Sequence, residues 1–220
     1  MQKRILAIIF LLFIGSFVFS QQPAFWNDIQ AFKKQDSAEA PPKNAILFVG
    51  SSSFTKWKDI KDYFPGYSIL NRGFGGSSLP DVIRYANDII IPYDPKEVVI
   101  YCGENDLAGP DSTITGYVVA ERFKELYNII RAKFPKIPIV YVSMKPSPSR
   151  KHLFNKMEQG NTLIKEFLKK DKRSGFVDVY HLMLNGDGTP VKDLFVEDML
   201  HMNAKGYAIW QIAIQPYLLK

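Results

Sequence analysis

Five short apolar segments, at residues 46–49, 67–70, 98–101, 139–142 and 176–179, constrain the fold of this chain more than any other feature. Each has strand length and is rich in β-branched or aromatic side chains. Near-continuous hydrophobicity of this kind is what a parallel sheet requires when both of its faces are covered. Between these segments, apolar residues recur at helical spacing. Val119, Phe123, Leu126 and Ile130 form one such series, Leu153, Met157, Ile164 and Leu168 a second, and Tyr207, Trp210, Ile214 and Leu218 a third. Strands alternating with helices predict a doubly wound α/β domain.

In such a sheet the crossovers are right-handed and sites form outside the carboxyl ends of the strands. Three loops are therefore expected on one edge. They are Gly50-Ser51-Ser52-Ser53 after the first strand, Asn71-Arg72-Gly73-Phe74-Gly75-Gly76 after the second, and Gly103-Glu104-Asn105-Asp106 after the third. The stretches 40–43 and 145–150 read as loops of the same domain rather than boundaries, and there is no internal repeat.

The first residues form a secretory signal pattern, with basic Lys3 and Arg4, an apolar run over residues 5–14, then Gly15, Ser16 and Ser20. The run is shorter than the roughly 18 apolar residues of a spanning helix, so cleavage near Ser20 is expected rather than stable membrane insertion. The expected organisation is a signal peptide at 1–20 and one domain at 21–220, secreted or periplasmic. The formal net charge is +6, of which Lys3 and Arg4 supply two, and the rest is dispersed, which argues against nucleic acid as a partner. The densest basic run, 169–173, sits at an expected helix end, where cations complement the dipole. The single cysteine, Cys102, ends an apolar strand and reads as a buried thiol, so the fold must rest on its core rather than on a disulfide.

Ester hydrolysis by a serine needs a hydroxyl, a base for its proton, a group orienting that base, and donors for the tetrahedral oxyanion. Gly50 permits a sharp turn that sets Ser51, Ser52 and Ser53 near a helix N-terminus, although serines there also serve as N-caps. Near the far end, Asp198-Met199-Leu200-His201 precedes the last helix. An aspartate and a histidine three residues apart in a turn can face the same way, so Asp198 can take the Nδ1 proton and leave Nε2 as a base. Gly73, Gly75 and Gly76 allow a backbone N–H to approach a carbonyl, and Asn105 offers a side-chain amide donor.

Together these four segments resemble the blocks of the SGNH hydrolase family, the GDSL-like lipases and acylhydrolases that include esterases similar to platelet-activating-factor acetylhydrolase. The resemblance covers nearly the whole chain after residue 20. It implies a three-layer α/β/α domain around a flavodoxin-like five-stranded parallel sheet, acting as a carboxylic ester hydrolase. Val49-Gly50-Ser51-Ser52-Ser53 resembles the family's Gly-Asp-Ser turn, which implies that Ser52 is the nucleophile and that its amide is an oxyanion donor. Gly76 and Asn105 match the other two donors, and Asp198 and His201 match the terminal Asp-x-x-His. The chain departs from the name-giving pattern at Ser51, where many relatives carry Asp, and at Ser53-Phe54, where Leu is usual.

No cofactor or metal is expected. The three histidines, His152, His181 and His201, lack paired metal-ligand spacing, and neither a P-loop nor a dinucleotide fingerprint is complete. Competing readings are a catalytically silent glycan- or lipid-binding module and a flavodoxin-like phosphate or flavin binder. Lys145 and Arg150, in a proline-rich loop, are expected either to line the cleft toward a polar or anionic substrate or to be solvated cations. A small-molecule or glycan ester with a short acyl group, such as acetyl on carbohydrate, is the expected substrate. The sequence leaves the oligomeric state open.

Overall fold

The computed structural model describes residues 22–220, so the expected signal peptide lies outside the described residues. Among the described residues the strands are β1 (Ile46–Gly50), β2 (Ile69–Gly73), β3 (Glu97–Tyr101), β4 (Ile139–Val142) and β5 (Ser174–Val177), all paired in parallel in the order β2-β1-β3-β4-β5. The helices are α1 (Trp26–Ala38), α2 (Ser52–Thr55), α3 (Ile60–Tyr63), α4 (Leu79–Arg84), α5 (Ala86–Ile89), α6 (Glu104–Leu107), α7 (Gly116–Lys133), α8 (Phe154–Leu168) and α9 (Ala204–Ile214). This is the α/β/α arrangement expected from the sequence.

The apolar runs divide their side chains between two cores, because successive residues of a strand point to opposite faces. Leu47, Val49, Val98, Ile100, Ile139 and Tyr141 face α1, α4, α5, α7 and α8, where Ile29, Leu79, Val119, Phe123 and Met157 meet them. Ile46, Phe48, Val99, Tyr101, Val140 and Val142 face the other layer, which is filled by Phe54, Trp57, Phe64, Trp210 and Ile214. Trp57 and Trp210 are fully buried, and burial of one large apolar side chain is worth about 1.5–3 kcal/mol.

Two strands are displaced from their expected positions. The second runs over Ile69–Gly73 rather than 67–70, since the Tyr67 amide turns back onto the Phe64 carbonyl while Asn71 and Arg72 pair with Phe48 and Val49. Polar residues are tolerated there because their side chains are satisfied. Arg72 Nε donates to Tyr93 Oη at 2.8 Å, its guanidinium pairs with Asp36, and its ring neighbours are Phe32 and Tyr93. Burial and the Asp36 hydrogen bond together push the Tyr93 hydroxyl up to about 12. The fifth strand runs over Ser174–Val177 rather than 176–179, because the amides of Val179 and Tyr180 leave the ladder for Ser143 Oγ, each at 3.0 Å.

Leu153 and Leu218 fall outside their expected helices. Leu153 ends a 3-10 turn, and Pro216 stops the last helix in another, since proline supplies no N–H to the preceding turn. Helix α1 precedes the first strand, where none of the three apolar series at helical spacing marks it in the sequence. Its amphipathic stripe is narrow, with Ile29 as its one buried residue.

Candidate active site

The turn after β1 places Ser52 at the sheet's carboxyl edge. Gly50 has φ +135°, and a Cβ there would lie 1.9 Å from the Tyr101 carbonyl oxygen, so only glycine lets β1 and β3 close together before the chain breaks away. The Ser51 amide then donates to that same Tyr101 oxygen at 2.9 Å, and Ser52 begins α2. Ser51 occupies the N-cap position, but its side chain makes no capping bond. The bond that it does make is to Asn105. Two remote side chains fix α2 from outside: Asn71 Nδ2 donates to the Phe54 carbonyl at 2.7 Å and Tyr207 Oη to the Ser53 carbonyl at 2.9 Å.

Opposite Ser52 stands the turn ahead of α9. Met199 adopts φ +52°, which wraps the chain so that the Leu200 and His201 amides both donate to Asp198 Oδ1, at 2.9 and 2.8 Å. The other carboxylate oxygen, Oδ2, lies 2.6 Å from His201 Nδ1, and His201 Nε2 lies 3.0 Å from Ser52 Oγ. Partial burial works against ionisation of Asp198. The hydrogen bonds from the His201 ring, from the His201 amide and from the Leu200 amide outweigh it and hold the carboxyl well below the usual carboxylate range. An ionised carboxylate can only accept, so the proton between them belongs to Nδ1, and Nε2 is left to receive the serine proton.

The remaining expected residues gather on the other side of Ser52. Gly73 packs against the nucleophile turn, where a Cβ would come within 2.7 Å of Phe54 Cβ. Gly76 has φ +86°, a conformation that L side chains rarely adopt. A Cβ on Gly75 would lie 4.0 Å from Ser52 Cβ, so this loop runs directly beside the serine. Among the described residues, the N–H groups of Ser52, Gly75 and Gly76 meet no protein acceptor. Asn105 Nδ2 donates to Ser51 Oγ at 2.8 Å and to the Ser77 carbonyl at 2.9 Å. The loops are bound to one another as well, since Asp106 Oδ2 accepts from the Leu79 amide at 2.9 Å and its Oδ1 accepts from Arg122 at 2.8 Å.

The proline-rich loop departs from expectation. Lys145 is neither a solvated cation nor a cleft-lining one: its side chain is 1% exposed and its Nζ donates to Glu104 Oε2 at 2.9 Å. Burial lowers the Lys145 ammonium's pKa, with Glu104 opposing that shift. Arg150 reaches the same carboxylate at 3.4 Å and donates from Nη2 to Asn105 Oδ1 at 2.8 Å. Sequence reasoning gave Glu104 no role. A lysine three residues after the apolar run that ends at Val142 is the signal that could have suggested a buried partner. Cys102 is buried as expected, and burial, then the Asp106 charge, pushes its thiol up.

A second Asp-x-x-His occurs at Asp178 and His181, with Nδ1 at 2.9 Å from Asp178 Oδ2. That imidazole is 73% exposed and hydrogen-bonds only to Asp178 among the described residues. Among the described residues, no group of three or more His, Cys, Asp or Glu side chains is arranged to hold a metal ion, and no helix is long and apolar enough to cross a membrane.

A hydroxyl, an imidazole and a carboxylate in relay at the carboxyl edge of a parallel sheet form the arrangement of a serine hydrolase. The profile of the GDSL-like Lipase/Acylhydrolase family matches residues 48–209, and the chain belongs to that family, hydrolases that act on ester bonds. Solved structures share the fold. A proposed acylhydrolase from Bacteroides fragilis is 22% identical, with 87% of this chain and 95% of that one covered and a TM-score of 0.75. A GDSL-like lipase from Bacteroides thetaiotaomicron is 21% identical over 86% and 95% of the two chains, with a TM-score of 0.71. A carbohydrate esterase family 3 from Talaromyces cellulolyticus is 17% identical over 80% and 96%, with a TM-score of 0.58. A comparison with curated proteins finds no match.

Proposed function

We propose that this chain is an exported esterase that removes short acyl groups through an acyl-enzyme on Ser52. The observation that carries the reading is the relay from Ser52 Oγ to His201 Nε2, 3.0 Å, and from His201 Nδ1 to Asp198, 2.6 Å. In this reading Ser52 Oγ attacks the ester carbonyl carbon as its proton passes to Nε2. The tetrahedral oxyanion is held by the Ser52 amide, the Gly76 amide and Asn105 Nδ2, with the N–H that meets Ser51 Oγ shared toward the oxyanion. The C–O bond then breaks, His201 returns the proton to the departing alcohol, and the acyl group remains on Ser52. Water, deprotonated by the same imidazole, adds to the acyl carbon, the bond from that carbon to Ser52 Oγ breaks, and His201 returns the proton to Oγ as the carboxylic acid leaves.

Acetyl on carbohydrate is the proposed substrate class. Its support is the fold shared with a carbohydrate esterase and the absence, among the described residues near the serine, of a long apolar insertion that would cover a fatty chain. Export is proposed from the signal pattern of residues 1–20. The test is hydrolysis of p-nitrophenyl esters of increasing chain length, followed by acetylated oligosaccharides, using the protein without residues 1–20. Rates that fall steeply beyond the shortest acyl groups are expected. Preferred turnover of long-chain esters would overturn the substrate assignment, and no turnover of any ester would overturn the esterase reading.

A further inference from the structure

Asn105 is an amide with two different ends, and its function as a donor depends on which end faces the serine turn. Two neighbours decide this from opposite sides. The Ser77 carbonyl can only accept, so it must face Nδ2, and it does so at 2.9 Å. The Arg150 guanidinium can only donate, so it must face Oδ1, and it does so at 2.8 Å. With both ends fixed, the second N–H points to Ser51 Oγ, one residue from Ser52.

Arg150 is itself anchored. Its Nη1 lies 3.4 Å from Glu104 Oε2, and Glu104 is neighbour to Asn105 in sequence and is held in turn by buried Lys145 at 2.9 Å. The backbone beside Arg150 is tied to the other half of the site, since the Ser149 amide donates to the Met199 carbonyl at 3.0 Å, inside the Asp198–His201 turn. An amide oxygen that accepts from a cation is polarised, and the polarisation strengthens its own N–H as a donor.

We propose that Arg150 is a positioning residue for ester hydrolysis, whose guanidinium orients and polarises the Asn105 amide toward the oxyanion; this rests on the reading of Asn105 as an oxyanion donor. The test is a double-mutant cycle on p-nitrophenyl acetate with Arg150→Met, Asn105→Ala and the pair, each checked for a native thermal transition. Asn105→Ala is expected to lower kcat about 10²–10³-fold. Arg150→Met is expected to lower kcat about 10–100-fold, the range for a misplaced catalytic group, with KM changed far less. In the Asn105→Ala background Arg150→Met is expected to cost almost nothing further. Arg150→Gln, which keeps a neutral donor, serves as the second variant should the methionine protein fail to fold, and is expected to recover part of the loss. An equal loss from Arg150→Met or Arg150→Gln in both backgrounds, or no loss in either, overturns the positioning role while leaving Asn105 as a donor. Full activity in Asn105→Ala instead overturns the oxyanion assignment itself.

Discussion

Residues 178–181 and 198–201 both spell Asp-x-x-His, and in both the imidazole Nδ1 meets the carboxylate, at 2.9 and 2.6 Å. They diverge in what surrounds the pair. His201 is 16% exposed and its Nε2 reaches Ser52 Oγ, whereas His181 is 73% exposed and follows the edge strand β5. An orienting carboxylate beside an imidazole is thus a local product of the spacing. A base for a nucleophile is a tertiary one, because the serine comes from 149 residues away.

The largest expected effect tests that division directly. Ser52→Ala and His201→Ala are each expected to lose about 10⁴-fold or more in kcat on p-nitrophenyl acetate. Should either variant retain a substantial rate, the relay is not the catalytic unit. Asp198→Asn comes next, with an expected loss of about 10³–10⁴-fold in kcat, since an amide no longer fixes the imidazole tautomer. Asp178→Asn under the same assay is expected to leave the rate unchanged, and a loss there would mean that the two turns are not distinguished by the serine.

A third measurement concerns stability. The folded Asp198 carboxyl is depressed below its unfolded value, so the folded state binds fewer protons in acid than the unfolded chain does. Its contribution is present above the unfolded pKa and is lost as pH falls. Chemical denaturation of wild type and Asp198→Asn is therefore expected to differ most at neutral pH, with the gap narrowing as pH falls below about 4 and closing only as pH falls through the lower folded pKa. The gap is small because the side chain is 46% exposed. A gap that widens in acid would contradict the assigned ionisation. The smallest effect is expected from His181→Ala, an exposed substitution within about 0.5 kcal/mol of wild type and with unchanged kcat. Activity loss in that variant would point to a use for the second pair that the relay does not explain.

Much of the fold was legible because apolar strands and helical stripes are local patterns set by which faces are buried. The strand ends were less so. Asn71 and Arg72 read as loop residues, yet they pair in β2 because Phe54, Tyr93 and Asp36 satisfy their side chains from elsewhere in the chain. The same distinction runs through the site. Ser52, Asp198, His201, Gly76 and Asn105 stood out because each sits at a strand end or before the last helix, in a pattern shared with a known family. The pairing of Lys145 with Glu104 did not, since a buried ion pair between residues 41 positions apart leaves no periodic trace.

The sequence by itself determined a parallel sheet covered on both faces, the loops on its carboxyl edge and the Asp-His spacing, all consequences of backbone geometry and local burial. Which Asp-His pair meets a serine, which way the Asn105 amide turns, and whether Lys145 lies in water or in the core were decided only by tertiary structure. Each depends on distances between segments remote in sequence, and those distances are fixed when the two cores close on the sheet.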